Sequence, residues 1–448
     1  MLKRKIETKI KDWLANSNKA LMVEGAKGVG KSFTIRETLK ESGLDYFEIN
    51  LVKDKDSLNL LKHFHNNPSE FFDYITLIAN KTLKEGSVIF LDEVQEYKEI
   101  VTAIKFLVEN GKYKFILSGS LLGVEIFDLK SAPVGYLDTI KMYPLDFEEF
   151  VINNNVPKEL MDRLESCYKT LTPVTSSLHE KMMTLFRIYL IIGGMPDAVN
   201  QYLQYKDFNK VDNVHKNIIE QYKKDFTKYD SKDKLYLNHI YSQIPSQIAD
   251  NNKRFNLSCL TQNARLSKYQ NGLNWLIDAG VAISVFNLTE TRLPLQIKKK
   301  ETLFKFFMSD VGLLTSCYGN STKLGILQDS VNLNAGAIYE NVVAQELIAH
   351  GYETFYYNSH KFGELDFVIE HEGSILPIEV KSGKDYKRHN ALNNVLNNET
   401  FGIKKAYVFS IGNIEKEDKI IYLPIYMIMY LKEDNNIILP TINFDEEL

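Results

Sequence analysis

The sequence contains little cysteine: three residues in 448, namely Cys167, Cys259 and Cys317. They lie far apart and form no C-x-x-C pair, which argues against a disulfide framework and a zinc ribbon. No stretch approaches about 18 uninterrupted apolar residues, so no transmembrane helix is expected. The basic residues near the N-terminus are not followed by an apolar segment, so no secretory signal is expected. These absences predict a cytoplasmic protein without membrane contact.

The sequence also lacks an excess of positive charge. Its formal net charge is −4 and its pI is about 6.2. The whole molecule is therefore not a basic nucleic-acid coat, and contact with nucleic acid would need a local patch. A hydrophobic content of 44% and a charged content of 25% are typical of a globular protein. A chain of this length predicts two to four domains.

The motif with the clearest chemistry occupies residues 25–32 and fits G-x-x-x-x-G-K-[ST], the phosphate-binding loop (P-loop) of nucleoside triphosphatases. Its glycines let several backbone N–H groups face one anion. Lys31 is expected to reach the β- and γ-phosphates, and Ser32 to bind Mg²⁺. A predicted strand precedes the loop and a predicted helix follows it, as the motif requires. The cofactors are therefore expected to be ATP and Mg²⁺, bound at Gly25, Ala26, Lys27, Gly28, Val29, Gly30, Lys31, Ser32 and Phe33.

A second nucleotide motif follows at residues 87–93, where an apolar run ends in two acids. This pattern, known as Walker B, predicts that Asp92 holds Mg²⁺ and that Glu93 is the general base for the attacking water. The next apolar run ends at Ser118, which is the candidate sensor of the phosphate or water, with Ser120 as second choice. The alternative for both serines is that they only terminate a strand.

Residues 151–229 are predicted to be helical and to end in a polar passage. Beyond them, helices are predicted at 235–248, 257–266 and 267–279, the last capped by Ser267, followed by strands at 281–288 and 303–308. This is the layout of a winged helix-turn-helix. Its basic residues predict either DNA phosphate contact or only a solvated charged surface, and they are Lys253, Arg254, Arg265, Lys268, Lys298, Lys299 and Lys300.

The last third of the chain alternates between helix and strand patterns. Glu340 lies on a predicted amphipathic helix, and Asp366 and Glu379 lie on two predicted strands joined by a turn at Gly373. Lys381 shares a strand face with Glu379 because the side-chain period is two. Adjacent carboxylates repel each other and persist best beside a divalent cation, so Asp366 and Glu379 are candidate metal ligands. Lys381 is a candidate catalytic residue that orients water.

Five segments in a fixed order carry a resemblance to a known family. They are residues 142–150 (MYPLDFEEF), 193–196 (GGMP), 243–247, 275–280 and 309–314. With the nucleotide motifs, they make the chain similar to a group of bacterial and archaeal AAA-type ATPases. The resemblance implies a P-loop (AAA-type) ATPase core at 1–150, a helical lid at 151–229, a winged helix-turn-helix at 230–318 and an α/β PD-(D/E)XK nuclease-like domain at 319–448. The expected fold class is therefore multidomain α/β.

The resemblance also assigns roles to the C-terminal residues: Asp366, Glu379 and Lys381 match the nuclease motif, and Glu340 matches its helix acid, which adds Glu340 to the candidate metal ligands. It implies ATP hydrolysis coupled to a nucleic-acid-directed, nuclease-like domain that uses Mg²⁺. The alternative is a nucleotide-controlled switch or scaffold whose C-terminal domain binds DNA or a protein without cleaving.

The chain departs from the family at Lys27 and Tyr136, where relatives commonly carry arginine. Arg187 is the substitute candidate for an arginine acting between subunits of an oligomer, and the alternative is that Arg187 is an ordinary surface arginine.

Overall fold

The structure is a computed structural model that describes residues 2–63, 67–119, 133–233, 236–250, 253–261, 265–330 and 335–433. Two sheets organise these residues, one of five strands and one of eight. Within the described ranges, no helix combines the length and the apolar character needed to cross a membrane. All three cysteines are described and are free.

The N-terminal unit is built on a parallel sheet of five strands. The strands are β1 (Ala20–Glu24), β2 (Tyr46–Asn50), β3 (Val88–Asp92), β4 (Lys114–Gly119) and β5 (Leu137–Lys141), and they lie in the order β2-β3-β4-β1-β5. Apolar side chains cover both faces of the sheet, so the inner strands β1, β3 and β4 are largely buried, and the carboxyl ends of the strands meet at one edge. The helices are α1 (Ile6–Asn16), α2 (Lys31–Ser42), α3 (Lys55–Lys62), α4 (Pro68–Ala79) and α5 (Glu99–Asn110).

A helical unit follows the parallel sheet. It comprises α6 (Phe147–Asn153), α7 (Lys158–Thr170), α8 (Ser176–Ile192), α9 (Pro196–Tyr205) and α10 (Phe208–Asp233). The predicted polar passage at its end is instead part of α10, which runs past residue 229. Charge pairs at helical spacing, Lys223 with Glu220 and Lys228 with Asp225, suit the exposed side of one long helix.

The middle unit contains α11 (Leu237–Ala249), α12 (Leu266–Asp278), β6 (Ala282–Leu288), β7 (Lys299–Met308), α13 (Val311–Cys317) and α14 (Asn320–Leu327). The prediction of a helix at 257–266 is wrong. Among residues 257–261, which the structure describes, only a 3₁₀ turn forms, at Leu257–Cys259, and the Asn256 side chain accepts the Ser258 backbone N–H. Such local bonds from asparagine compete with helix formation. Helix α12 begins at Leu266, so Ser267 is not its N-cap.

The C-terminal unit begins with α15 (Gly336–Ala349). Its remaining elements are β8 (Phe355–Ser359), β9 (Gly363–His371), β10 (Ser374–Val380), α16 (Asn390–Leu396), β11 (Ala406–Ser410), β12 (Glu415–Glu417), β13 (Ile420–Pro424) and a 3₁₀ helix, Ile425–Tyr430. The eight-stranded sheet has the order β12-β13-β11-β10-β9-β8-β6-β7. Strands β6 and β7 are those of the predicted wing. Because β6 pairs in parallel with β8, they belong to the same sheet as the C-terminal strands, on both sides of the domain boundary predicted at residue 318.

Three of the family-like segments meet where the units join. The Gly194 N–H donates to Asp310 Oδ2 at 2.6 Å, and the Leu145 N–H donates to the Gly194 carbonyl at 2.7 Å. A Cβ on Gly194 would lie 2.0 Å from the Leu145 carbonyl oxygen, so only glycine fits. Burial raises the pKa of Asp310 to about 6, although hydrogen bonds from three backbone N–H groups act in the opposite direction. These segments therefore form a tightly packed joint between the ATPase-like sheet and the rest of the chain.

Candidate functional site

The P-loop connects β1 to α2 at the carboxyl edge of the parallel sheet. Gly25 and Gly30 have φ values of 149° and 95°, which favour glycine, and Gly30 immediately precedes the first turn of α2. A Cβ on Gly25 would lie 2.1 Å from the Met142 carbonyl oxygen. The loop therefore has the glycine-dependent backbone and the helix N-terminus that together favour an anion.

Lys31 is folded onto the P-loop itself. Its Nζ donates to the carbonyls of Gly25 at 2.8 Å and Ala26 at 3.0 Å, and the residue is only 7% exposed. Burial lowers the pKa of Lys31 to about 8, although nearby Glu93 and Asp92 act in the opposite direction. A phosphate group would supply the negative charge that this buried ammonium favours.

Asp92 is held at the end of β3 by three neutral donors. Ser32 Oγ donates to Oδ1 at 2.8 Å, Asn50 Nδ2 donates to Oδ2 at 2.8 Å, and Ser118 Oγ donates to Oδ1. Sequence reasoning missed Asn50, although a polar residue ending a neighbouring strand was an available signal, and Asn50 is in register with Asp92. Ser120 lies outside the described residues.

Ser32 and Asp92 also fit a magnesium ion. They are the P-loop hydroxyl and the strand-end carboxylate that hold Mg²⁺ in P-loop nucleoside triphosphatases, and here they are in direct contact. Mg²⁺ needs only one or two protein ligands when phosphate oxygens and water complete its shell.

Glu93 has an uncommon backbone conformation for a non-glycine residue, with φ of 59°. Its Oε2 accepts a bond from Gln95 Nε2 at 2.5 Å, a second contact that the motif did not indicate. A strained residue that a neighbour holds in place is typical of functional sites. Glu93 thus directly follows the candidate magnesium ligand with its carboxylate fixed.

Arg4 supports the loop from outside the motif. The side chain is buried, donates to the carbonyls of Val29 at 3.0 Å and Tyr143 at 2.7 Å, and pairs with Glu149 at 3.1 Å. No sequence pattern pointed to it, because the contacts join segments 25 to 145 residues apart.

Other units reach the P-loop as well. Lys27 Nζ pairs with Asp225 Oδ2 on α10 at 2.8 Å, and Tyr222 OH donates to the Lys27 carbonyl at 2.9 Å. In the turn between α12 and β6, a Cβ on Gly280 would lie 3.2 Å from the Ala26 nitrogen. Arg187, the substitute arginine, pairs with Asp329 at 3.1 Å.

The predicted C-terminal site residues also come together, on α15, β9 and the end of β10, with lysines from other segments. We call this group the carboxylate–lysine cluster: Glu340, Glu364, Asp366, Glu379, Lys253, Lys305 and Lys381.

Both oxygens of Glu340 are occupied by lysines. Lys253 Nζ contacts Oε1, and Lys305 Nζ lies 3.4 Å from Oε2. Lys305 is fully buried and also pairs with Glu364 at 2.7 Å. Sequence reasoning placed Lys253 either at a DNA contact or on a solvated surface and did not single out Lys305, because the two lysines are 87 and 35 residues from Glu340.

Asp366 and Glu379 are compensated less completely. Lys381 Nζ donates to Glu379 Oε1 at 2.6 Å, whereas Glu379 Oε2 is buried and accepts no hydrogen bond. Asp366 Oδ2 accepts the Val380 N–H at 2.9 Å. Burial, followed by the Asp366 carboxylate, raises the pKa of Glu379 to about 8. Burial and Asp366 also raise the pKa of Glu340, against its lysines.

These contacts separate Asp366 and Glu379 from Glu340, the third predicted metal ligand. Among the described residues, no group of three or more His, Cys, Asp or Glu side chains is arranged to hold a metal ion. The orphaned oxygen of Glu379, beside Asp366, fits a cation held through one or two carboxylates. Glu340, with a lysine on each oxygen, does not join that set as it stands.

Several basic residues predicted to contact DNA have partners within the protein. Lys298 pairs with Glu290, and Lys299 lies 3.3 Å from Glu301. Lys268 lies over the ring of Tyr236, 4.8 Å from its centroid. This part of the surface therefore carries less uncompensated charge than the sequence suggested.

Comparisons with known proteins divide the chain into three parts. Residues 17–151 match the family model of an AAA domain, residues 183–324 a domain of unknown function (DUF8612), and residues 335–428 another (DUF4143). Among solved structures, a Walker-type ATPase of Pyrococcus abyssi matches with 14% identity and a TM-score of 0.42, over 71% of this chain and 96% of that one. No curated protein matches.

Proposed function

We propose that this chain, whose residues 17–151 form an AAA-type P-loop ATPase domain, binds and hydrolyses ATP. The observation that carries the proposal is the joint geometry of the P-loop, Ser32 and Asp92 at the edge of the parallel sheet. The predictions that the chain binds ATP and Mg²⁺ depend on the same residues. A cytoplasmic location and an oligomeric state stay predictions.

In the proposed mechanism, the backbone N–H groups of the P-loop bind the phosphates, and Lys31 exchanges the Gly25 and Ala26 carbonyls for phosphate oxygens. Ser32 and Asp92 would hold Mg²⁺, which supplies charge neutralisation at the β- and γ-phosphates. Glu93 orients the attacking water and accepts its proton, while Gln95 fixes the carboxylate. Ser118 and Asn50 orient Asp92.

The Asp92→Asn variant tests the site. Asparagine keeps the shape but removes the charge, so we expect it to weaken binding of a fluorescent ATP analogue more in Mg²⁺ than in EDTA. Asn50→Ala is the matched control, because it removes one of the donors to Asp92 without removing the carboxylate. Equal weakening of Asp92→Asn in Mg²⁺ and in EDTA would remove Asp92 from the metal shell.

A second candidate function is favoured by the orphaned oxygen of Glu379. We propose that the C-terminal unit is a PD-(D/E)XK nuclease-like domain that binds a divalent cation through Asp366 and Glu379 and acts on nucleic acid. In this role, Lys381 holds Glu379 and orients water beside the scissile phosphate. The middle unit, with its helices and its β6–β7 strands, would act as a winged helix that contacts DNA.

Cleavage of single- and double-stranded DNA and RNA in Mn²⁺ tests the second candidate. We expect cleavage that is lost in Asp366→Ala and retained in Glu370→Gln, which changes an exposed acid of the same strand outside the cluster. Binding without cleavage, in any nucleotide state, would favour a nucleotide-controlled switch whose C-terminal unit only holds a partner.

A further inference from the structure

We propose that Lys253 is an internal cation that competes with a divalent metal ion for the carboxylate–lysine cluster. In this arrangement Lys253 blocks Glu340, and a divalent ion binds tightly only after Lys253 leaves. The inference rests on the second candidate function, because it concerns the same acids. It adds a residue from the middle unit that governs when the C-terminal site accepts metal.

The first observation is where Lys253 comes from. It lies on the connection between α11 and α12, while Glu340 lies on α15. The connection is fixed just beyond it: the Phe255 N–H donates to the Phe304 carbonyl at 2.9 Å, beside the buried Lys305. Lys253 itself has a φ of 47°, a conformation that is strained for a non-glycine residue. The contact with Glu340 offsets that strain.

The second observation is the charge balance. With every group ionised, as a bound cation requires, the cluster contains four carboxylates and three ammonium groups, which leaves one formal negative charge. Without Lys253 the formal charge would be −2, which one divalent cation balances. With Lys253 in place, the same ion would leave the site with an excess positive charge among buried groups, which is unfavourable.

The third observation distinguishes Lys253 from the other lysines of the cluster. Lys305 is fully buried on β7 and bridges two acids, so its removal would leave both uncompensated. Lys381 follows β10 directly and holds Glu379. Lys253 contacts the cluster from a connecting segment, and its side chain is 27% exposed. It can therefore withdraw into solvent without disturbing a strand.

Mn²⁺ binding to the full chain, followed by electron paramagnetic resonance without nucleotide, tests the proposal. We expect Lys253→Met to bind one Mn²⁺ at least tenfold more tightly than the parent protein. Adding Asp366→Asn to that variant should abolish the gain. The matched control is Lys268→Met, which removes a lysine of the same unit that packs on Tyr236, and it should leave Mn²⁺ affinity unchanged.

Lys253→Gln guards against misfolding, because it keeps a polar side chain at this partly exposed position and removes only the charge, and it should also bind Mn²⁺ more tightly than the parent. Equal Mn²⁺ affinity in the parent and in a folded Lys253 variant would overturn the proposal. Cleavage by the parent with no gain in either variant would overturn only the role of Lys253. Tight Mn²⁺ binding by Lys253→Met without any cleavage would support that role and count against the nuclease function.

Discussion

The nucleotide site and the carboxylate–lysine cluster use similar residues but compensate their charges differently. At the nucleotide site, Asp92 is held by hydroxyl and amide donors, and Lys31 rests on backbone carbonyls. In the cluster, lysines contact Glu340, Glu364 and Glu379 directly. Under the proposals above, the first site would receive a ligand that carries both phosphate and metal charge. The second is almost neutral by itself, so its affinity for the proposed metal ion would depend on which lysine stays.

The largest expected effect concerns the chemistry of the first site. Glu93→Gln should bind ATP normally but hydrolyse it roughly 10²- to 10⁴-fold more slowly, because the amide cannot take a proton. Steady-state phosphate release and analogue titration together measure this. The control is Glu96→Gln, on the adjacent turn, which should hydrolyse at the parent rate. Parent-like turnover in Glu93→Gln would show that another group is the base.

The next effect compares two lysines of one loop. Lys31→Ala should weaken ATP binding roughly 10- to 100-fold, the range for loss of charge-assisted hydrogen bonds. Lys27→Ala should weaken it much less, because that side chain points to Asp225. Isothermal calorimetry of both variants measures the difference. Similar losses in the two variants would contradict the assignment of Lys31 to the phosphates.

Glu379 should make the stability of the carboxylate–lysine cluster depend on pH. Its folded pKa of about 8 lies above the ordinary value of 4.5, so the folded state holds a proton that the unfolded state loses above pH 4.5. The contribution of Glu379 to stability therefore falls as pH rises from about 5 to 8. Glu379→Gln should remove this loss and gain on the order of 1–3 kcal/mol over the parent at pH 8 relative to pH 5. Thermal melting at both pH values measures it, and parallel pH profiles would contradict it.

The smallest effect concerns the contact between the P-loop and the turn that joins α12 to β6. Gly280→Ala places a methyl group 3.2 Å from the Ala26 nitrogen at a φ of 71°. We expect a lower melting temperature and weaker ATP binding. Gly402→Ala is the control: its φ is 61°, but no atom lies within 4 Å of the added Cβ, so only backbone strain is introduced, roughly 1 kcal/mol. Equal ATP affinity in the two variants would show that the P-loop does not sense this contact.

Sequence reasoning worked where the signal was contiguous. The P-loop and the strand ending in Asp92 were predictable because neighbouring residues carry the whole motif. It failed where function depends on distant partners: Lys27 and Asp225 are 198 residues apart, and Lys253 and Glu340 are 87 apart. A run of basic residues looks the same whether it contacts DNA or an internal acid. The predicted helix at 257–266 failed because Asn256 forms its own turn.

Helix α15 contacts both the carboxylate–lysine cluster and the segment that packs beside the P-loop. Glu340 lies on it in the cluster, and six residues later Glu346 Oε1 accepts the Phe147 N–H at 2.9 Å. Phe147 lies between Tyr143 and Glu149, which Arg4 ties to the P-loop. The two carboxylates are about 9 Å apart along the helix axis. If a shift of α15 links the sites, the linkage must be reciprocal: the factor by which ATP changes Mn²⁺ affinity equals the factor by which Mn²⁺ changes ATP affinity.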